Sequence, residues 1–206
     1  MNIVKPSVTL VKDKDPKVIL KNIERCGRLC YQSEGKVTSD SFIPFVKGLV
    51  TREHLAVIEH ESVTAIVICD RGCCYEIVRH RLGSYCQEST RYVNYKEGLT
   101  VIRPCFFDDD SLLMEAWKVG MQYCEDTYRA MISLGAKPQE ARTVLPNSLK
   151  TEIAITYNMR EWRHFLKLRL SKGAHPQIRE VARLLLKELQ DYIPIIFDDI
   201  KEEGKE

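Results

Sequence analysis

Nine residues do most to limit what this chain can become. Ser62 to Asp70, SVTAIVICD, is β-branched and apolar at almost every position, without the strict alternation of a strand wetted on one side. Such a run predicts a strand buried on both faces. The rest of the chain must then supply layers to cover it, and 206 residues are enough for one domain with a real core. The longest apolar stretch, Val63 to Cys69, is strand-sized, far short of the ~18 residues of a membrane span.

Flanking segments read as helices and further strands. Val4 to Val11 alternates as a first strand, with Pro6 marking an edge. Asp15-Pro16 opens a helix to about Tyr31, and a second is expected over Ser39 to Val50. Arg71 to Arg81 is a short helix with Gly83 as its stop, followed by a polar, irregular, tyrosine-rich run from Ser84 to Tyr95. A long helix starts at Asp109 or Ser111 and ends at Gly135. Pro138 opens the next, which ends near Leu145-Pro146. Thr151 to Tyr157 is a strand, and Arg160 to Leu170 and Gln177 to Tyr192 are helices. The economical reading is one α+β domain over 1–197, with a charged tail, 198–206, that frays.

The 31 basic and 29 acidic side chains leave a net charge of +2. That balance argues against a general polyanion binder, so any phosphate site must be local. Eight cysteines follow no recognisable signal peptide, which predicts reduced thiols in a cytoplasm, most of them small buried hydrophobes. Cys26-x3-Cys30 and Cys73-Cys74 are not paired knuckles, and His54 and His60 are not a helical zinc pair, so no metal is expected.

Charge gathers in three places. Arg79, His80 and Arg81 are consecutive, so on a helix they point ~100° apart and no one surface can use all three. At a helix end they fan outward and can grip a large anion. Gln87-Glu88-Ser89-Thr90-Arg91 then offers hydroxyls, backbone donors and an arginine able to wrap a phosphate. Alone, the basic triplet is no more than a solvated turn. In Arg160 to Leu170, Trp162, Phe165 and Leu166 form an apolar stripe whose i+7 position is Arg169, with Arg160, Arg163, His164 and Lys167 on the other side. An arginine on that stripe either snorkels from the helix end or pairs with an anion. Arg142 stands at the end of the Pro138 helix, before Val144-Leu145-Pro146.

Arg79-His80-Arg81, seven residues, then Ser89, with Arg91-Tyr92 following, resembles the signature of the ThyX family of flavin-dependent thymidylate synthases. His54 with Glu59-His60, Ala141-Arg142, Asn158-x-Arg160, Phe165-Leu166-x-Leu168-Arg169, His175 and Gln177 stand in family order around it, so the likeness covers about 54 to 180. The resemblance implies a central, largely antiparallel sheet flanked by helices, in a homotetramer with active sites between subunits. It implies FAD, deoxyuridine monophosphate (dUMP), methylenetetrahydrofolate and NAD(P)H as cofactor and reactants. Arg79, His80, Arg81, Gln87, Asn158, Arg160, His164 and His54 are then expected at the cofactor. Glu76, Arg79, Gln87, Glu88, Ser89, Thr90, Arg91, Arg142 and Arg169 are expected at the nucleotide. Arg169 would favour the ionised uracil ring, and Ser89 would contact and activate substrate with no evident base to make it a nucleophile.

Some positions depart from the family. Glu76 stands where Gln is usual, Cys86 for Asn, Gln87 for Glu, and Leu55-Ala56-Val57 for Glu-Thr-Pro. Three rivals have other chemistry. One is a flavoprotein of the same fold acting on another pyrimidine nucleotide. Another is an RNA- or nucleotide-binding module stacking bases on Tyr85, Tyr92 and Tyr95, which the near-zero charge opposes. The third, a phosphoryl-transfer enzyme, lacks a glycine-rich phosphate loop.

Overall fold

The computed structural model describes residues 1–204. In chain order it runs β1 (Asn2–Val4), β2 (Ser7–Val11), α1 (Pro16–Leu29), α2 (Phe42–Thr51), β3 (Ser62–Asp70), α3 (Arg71–Ile77), β4 (Gly83–Gln87), β5 (Thr100–Ile102), α4 (Leu112–Ser133), α5 (Pro138–Ala141), β6 (Lys150–Asn158), α6 (Met159–Arg169), α7 (Pro176–Tyr192) and α8 (Pro194–Phe197). The main sheet has the order β2-β3-β6-β4 and every pairing in it is antiparallel. The α+β fold class is as expected.

The expected first strand is two strands in two sheets. Pro6 lacks the N–H a ladder needs, and the chain changes partner around it: β1 runs parallel to β5, while β2 pairs with β3. Strand β3 is central, and Val63, Ala65, Val67 and Cys69 on one face are buried, as is Asp70 at its end, while Thr64, Ile66 and Ile68 on the other face are half-covered. The expectation of burial on both faces therefore holds fully for one face only. Helices α1, α2, α6, α7 and α8 enclose the main core through residues such as Ile23, Val46, Trp162, Phe165, Leu185 and Phe197.

Local signals explain most boundaries. Asp15 caps α1 by accepting from Lys17 N at 2.7 Å, and Ser111 caps α4 by accepting from Met114 N at 3.1 Å. Gly135, with φ +99°, supplies the left-handed residue that ends α4. Gly83 serves otherwise than expected. Helix α3 has already stopped at Ile77, and Gly83 begins β4, a strand within the stretch expected to be irregular. A Cβ there would lie 2.2 Å from the Tyr157 ring on the neighbouring strand, so the close approach demands glycine. The expected tail also folds back over part of its length. Ile200 is 3% exposed, Asp199 pairs with Arg163, and Glu202 receives Arg179 and Arg183. Of the eight cysteines only Cys69, Cys73 and Cys74 are buried, whereas Cys30 and Cys86 are exposed.

Candidate functional site

Helices α3 and α6 leave opposite ends of the antiparallel β3–β6 pair. Asp70 ends β3 and caps α3 by accepting from Cys73 N at 2.8 Å. Asn158 ends β6 and caps α6 by accepting from Glu161 N at 2.8 Å. The turn after α3 delivers the basic triplet. Arg79 and Arg81 are exposed and His80 is 5% exposed, so the histidine turns inward while both arginines stay outside. Tyr85 on β4 donates its hydroxyl to the His80 carbonyl, and Tyr157 donates to the Ile77 carbonyl at 3.3 Å, which pins this turn to the sheet.

The His80 side chain is engaged inside the protein, and it supports the site from within. Its Nδ1 lies 3.0 Å from Glu161 Oε1, its Nε2 accepts from Arg169 Nε at 3.2 Å, and its ring packs 4.9 Å from that of Phe165. Burial, and secondarily the Arg169 cation, hold its pKa below the usual histidine value against the pull of Glu161. Arg169 completes a three-way junction. Nη1 donates to Glu76 Oε2 at 2.8 Å and Nη2 to the Glu76 carbonyl at 3.0 Å. Of the two readings of its place on the apolar stripe, it pairs with an anion, and within the chain that anion is Glu76.

Two cavities border this junction and a third adjoins one of them. One, of about 360 Å³, is lined by Asn158, Arg160, Glu161 and His164 with Glu59 and Leu82. It gathers three of the expected cofactor residues. A second, of about 250 Å³, is lined by Arg71, Thr90, Arg142 and Asn147 with Tyr75 and Thr143, and so unites two of the expected nucleotide residues with an arginine the sequence reading passed over. A third, also about 250 Å³, has Asp70, Glu76, Asn147, Ser148, His175 and Gln177 on its walls. Asn147 borders the second and third cavities, which places them side by side. Gln177 Nε2 donates to Asp70 Oδ2 at 3.0 Å, and burial raises the Asp70 carboxyl above its ordinary range.

Other expected residues are placed differently. Glu88 accepts from the Tyr95 hydroxyl at 2.6 Å and from Lys150 at 3.0 Å, so its carboxylate braces the loop. Ser89 Oγ accepts from Arg91 N at 3.3 Å; no acid or base is recorded against it among the described residues. Arg91 is exposed over the Tyr92 ring, Gln87 donates to Thr151 Oγ1 at 3.2 Å, and His54 is exposed at the start of the turn Leu55–His60. Arg163, assigned to the polar face, is instead 1% exposed and forks onto Asp199 with both bonds at 2.6 Å. The tyrosines proposed for base stacking are partly spent, since Tyr85 and Tyr95 turn inward to protein partners.

Glu161 was hidden by a simpler signal. Asn158-x-x-Glu161 is a helix-start pattern, yet the glutamate turns to His80. Together with His164 these two bring ligand atoms within 4.8 Å of one another. The Arg169 guanidinium against His80 sets a fixed positive charge there, which opposes a metal ion.

Comparison with known proteins bears on the family and the fold. The family described as "Thymidylate synthase complementing protein" matches residues 12–195. A flavin-dependent thymidylate synthase of Mycobacterium leprae is 34% identical over 95% of this chain and 85% of its own. One from Geobacter sulfurreducens is 34% identical over 84% and 78%. Among solved structures, the UMP/dUMP methylase PolB from Streptomyces cacaoi, bound with 5-Br dUMP, superposes with TM-score 0.80 at 21% identity, covering 96% of each chain. Thymidylate synthase X from Helicobacter pylori with FAD and dUMP gives 0.77 at 21%, covering 95% of this chain and 98% of that one. By its sequence profile, its relatives and its fold, the chain belongs to the flavin-dependent thymidylate synthase family.

Proposed function

We propose that the protein converts dUMP to deoxythymidine monophosphate (dTMP) by reductive methylation, with noncovalent FAD, methylenetetrahydrofolate as one-carbon donor and NAD(P)H as reductant. The observation that carries this is the position of Arg169. It touches Glu76, a wall of the cavity that adjoins the one holding Arg71, Thr90 and Arg142, and His80, whose partner Glu161 lines the cofactor-side cavity. A planar cation between the two is where a flavin and a pyrimidine ring would be brought together.

The residues fit such ligands. Arg160, His164 and Asn158 on one cavity, with the exposed Arg79 and Arg81 just before Leu82 of the same lining, suit a phosphorylated, hydrogen-bonding cofactor. When bound, the flavin relays the one-carbon unit and supplies hydride. Arg71 and Arg142 with Thr90 suit the nucleotide phosphate, and Arg91 supplies a further cation from the same loop. Arg169 uses three of the five guanidinium N–H donors on partners within the chain, which leaves two to meet a ring oxygen or an ionised ring nitrogen. Charge that grows on the ring is then stabilised in place.

A homotetramer with sites completed by neighbouring copies accounts for surfaces one chain leaves open. Helix α4 is 22 residues long yet buries only Met114, Glu125 and Tyr128, leaving Leu112, Leu113, Val119 and Tyr123 more than half exposed. The cavity for the cofactor is near the low end of the roughly 300–1,000 Å³ of ligand sites, small for a dinucleotide held by one copy. No helix among the described residues is long and apolar enough to cross a membrane, and a cytoplasmic setting is proposed from the unpaired cysteines. The absorption spectrum of purified protein with FAD, before and after dUMP, tests the reading. Flavin bands perturbed by dUMP are expected; a chain that neither carries nor binds FAD overturns it. Uridine monophosphate in parallel distinguishes the ribonucleotide alternative.

A further inference from the structure

Behind Arg169 lies a residue with no part in the reaction so far. Glu161 is 6% exposed and on the side of α6 that faces the turn after α3. A guanidinium can only donate, so the bond from Arg169 Nε to His80 Nε2 at 3.2 Å requires that Nε2 carry no proton. A neutral imidazole then holds its proton on Nδ1, 3.0 Å from Glu161 Oε1, and the carboxylate accepts it. Burial keeps the imidazole neutral, aided by the nearby cation. The charged and titratable groups facing it are Glu161, His164 and Arg169 from α6 and Tyr157 from β6, with Glu76 of α3 beyond Arg169.

We infer that Glu161 is a positioning residue: by fixing His80 in the Nδ1–H tautomer it gives Arg169 Nε an acceptor, and so sets the plane in which the guanidinium meets the pyrimidine ring. Without that carboxylate the proton is free to move to Nε2, where two N–H groups would face each other and the guanidinium would swing away. The helix cap does not need the side chain, because Asn158 is bonded by the Glu161 backbone N–H. The role rests on the proposal that Arg169 faces the substrate ring; the tautomer does not.

The test uses full-length protein labelled with ¹⁵N-histidine, alongside saturation kinetics for dUMP. Long-range proton–nitrogen spectra of the unliganded parent should show His80 neutral with its proton on Nδ1. Glu161→Ala should move it to Nε2 and lower saturated turnover about tenfold or more, with KM for dUMP changed less than about threefold. Glu161→Gln, whose amide oxygen can accept the same bond in the same shape, should keep the Nδ1–H tautomer and most of the turnover. A parent with the proton on Nε2, an alanine variant that keeps it on Nδ1, or a tautomer that moves while saturated turnover holds would each overturn the role. The parent spectrum decides the tautomer even if the alanine variant does not fold. A parent that makes no dTMP overturns the reaction and the role together, and is told apart because the tautomer is read without substrate.

Discussion

The carboxylate of Glu76 and the guanidinium of Arg169 meet at 2.8 Å although 93 positions separate them in sequence. Arg169 is the more buried partner, at 15% side-chain exposure against 32%. The pair keeps a half-buried cation from standing alone, and it is also a competitor, because a ring that gains negative charge wants the same guanidinium. Glu76→Gln keeps a hydrogen-bonding group and removes that competition. It should tighten dUMP by about 0.3–1 kcal/mol, the scale of a partly exposed ion pair, as measured by calorimetric titration. Arg169→Ala should bind dUMP and turn it over on the order of tenfold to a hundredfold more slowly at saturation, for the loss of ~1.5–3 kcal/mol of charged hydrogen bonding. Arg169→Lys should be impaired too, since it keeps the charge and loses the planar fork. Single-turnover dTMP formation checks both; parent-level turnover by the alanine variant makes Arg169 a binding or packing residue.

Arg71 and Arg142 share a cavity with Thr90, and Arg91 follows in the same loop. Replacing any of these arginines by Ala should weaken dUMP by about 1.5–3 kcal/mol through its phosphate and leave saturated turnover near the parent. Affinity for deoxyuridine, which has no phosphate, should not change. Equal losses for both ligands would place these side chains away from the phosphate.

Gly83→Ala would put a methyl group into the Tyr157 ring, at 2.2 Å. Overpacking of this kind costs about 1–3 kcal/mol. Because β4 follows the basic triplet directly, flavin affinity should fall along with the melting temperature. Denaturant unfolding shows the cost, and an unchanged midpoint would mean the two strands can part without penalty.

Acid should destabilise the protein partly through its C-terminal segment. The Arg163 guanidinium holds the Asp199 carboxyl below the usual carboxylate range. A carboxyl depressed in the folded state stabilises above its unfolded value of ~3.9 and loses that contribution as pH falls through the folded value. Buried His80, also depressed, acts with the same sign from a higher starting point, its contribution beginning to fall below pH ~6.5. Asp70, raised by burial, opposes them between its two values. Asp199→Asn should therefore lower the melting temperature at neutral pH and flatten its decline below pH ~4. A parallel decline in parent and variant would mean that the ion pair contributes nothing.

Much of the fold was legible in the chain because its signals are local. SVTAIVICD announced β3, Asp15-Pro16 and Ser111 announced helix starts, and Gly135 announced an end. What escaped depends on contacts distant in sequence. Gly83 reads as a helix stop until Tyr157 is seen beside it, and Arg163 reads as solvent-facing until Asp199 folds back. In the site, the pattern of Arg79 to Ser89 and the odd placement of Arg169 on an apolar stripe were visible. That Glu76 is the partner of Arg169, that Glu161 backs His80, and that Arg71 shares a cavity with Arg142 were not. Each of those pairs residues from different elements, and spacing along the chain carries no trace of it.

Formation of dTMP from dUMP is the most direct measurement, made with methylenetetrahydrofolate and reduced nicotinamide cofactor, on protein stripped of flavin and then reloaded with FAD. The expected result is product that appears only with FAD, and on the order of tenfold or more slowly in an Arg169→Ala, Arg142→Ala double variant than in the parent. Product at the same rate without flavin, or none from a protein shown by its spectrum to hold both FAD and dUMP, would contradict it.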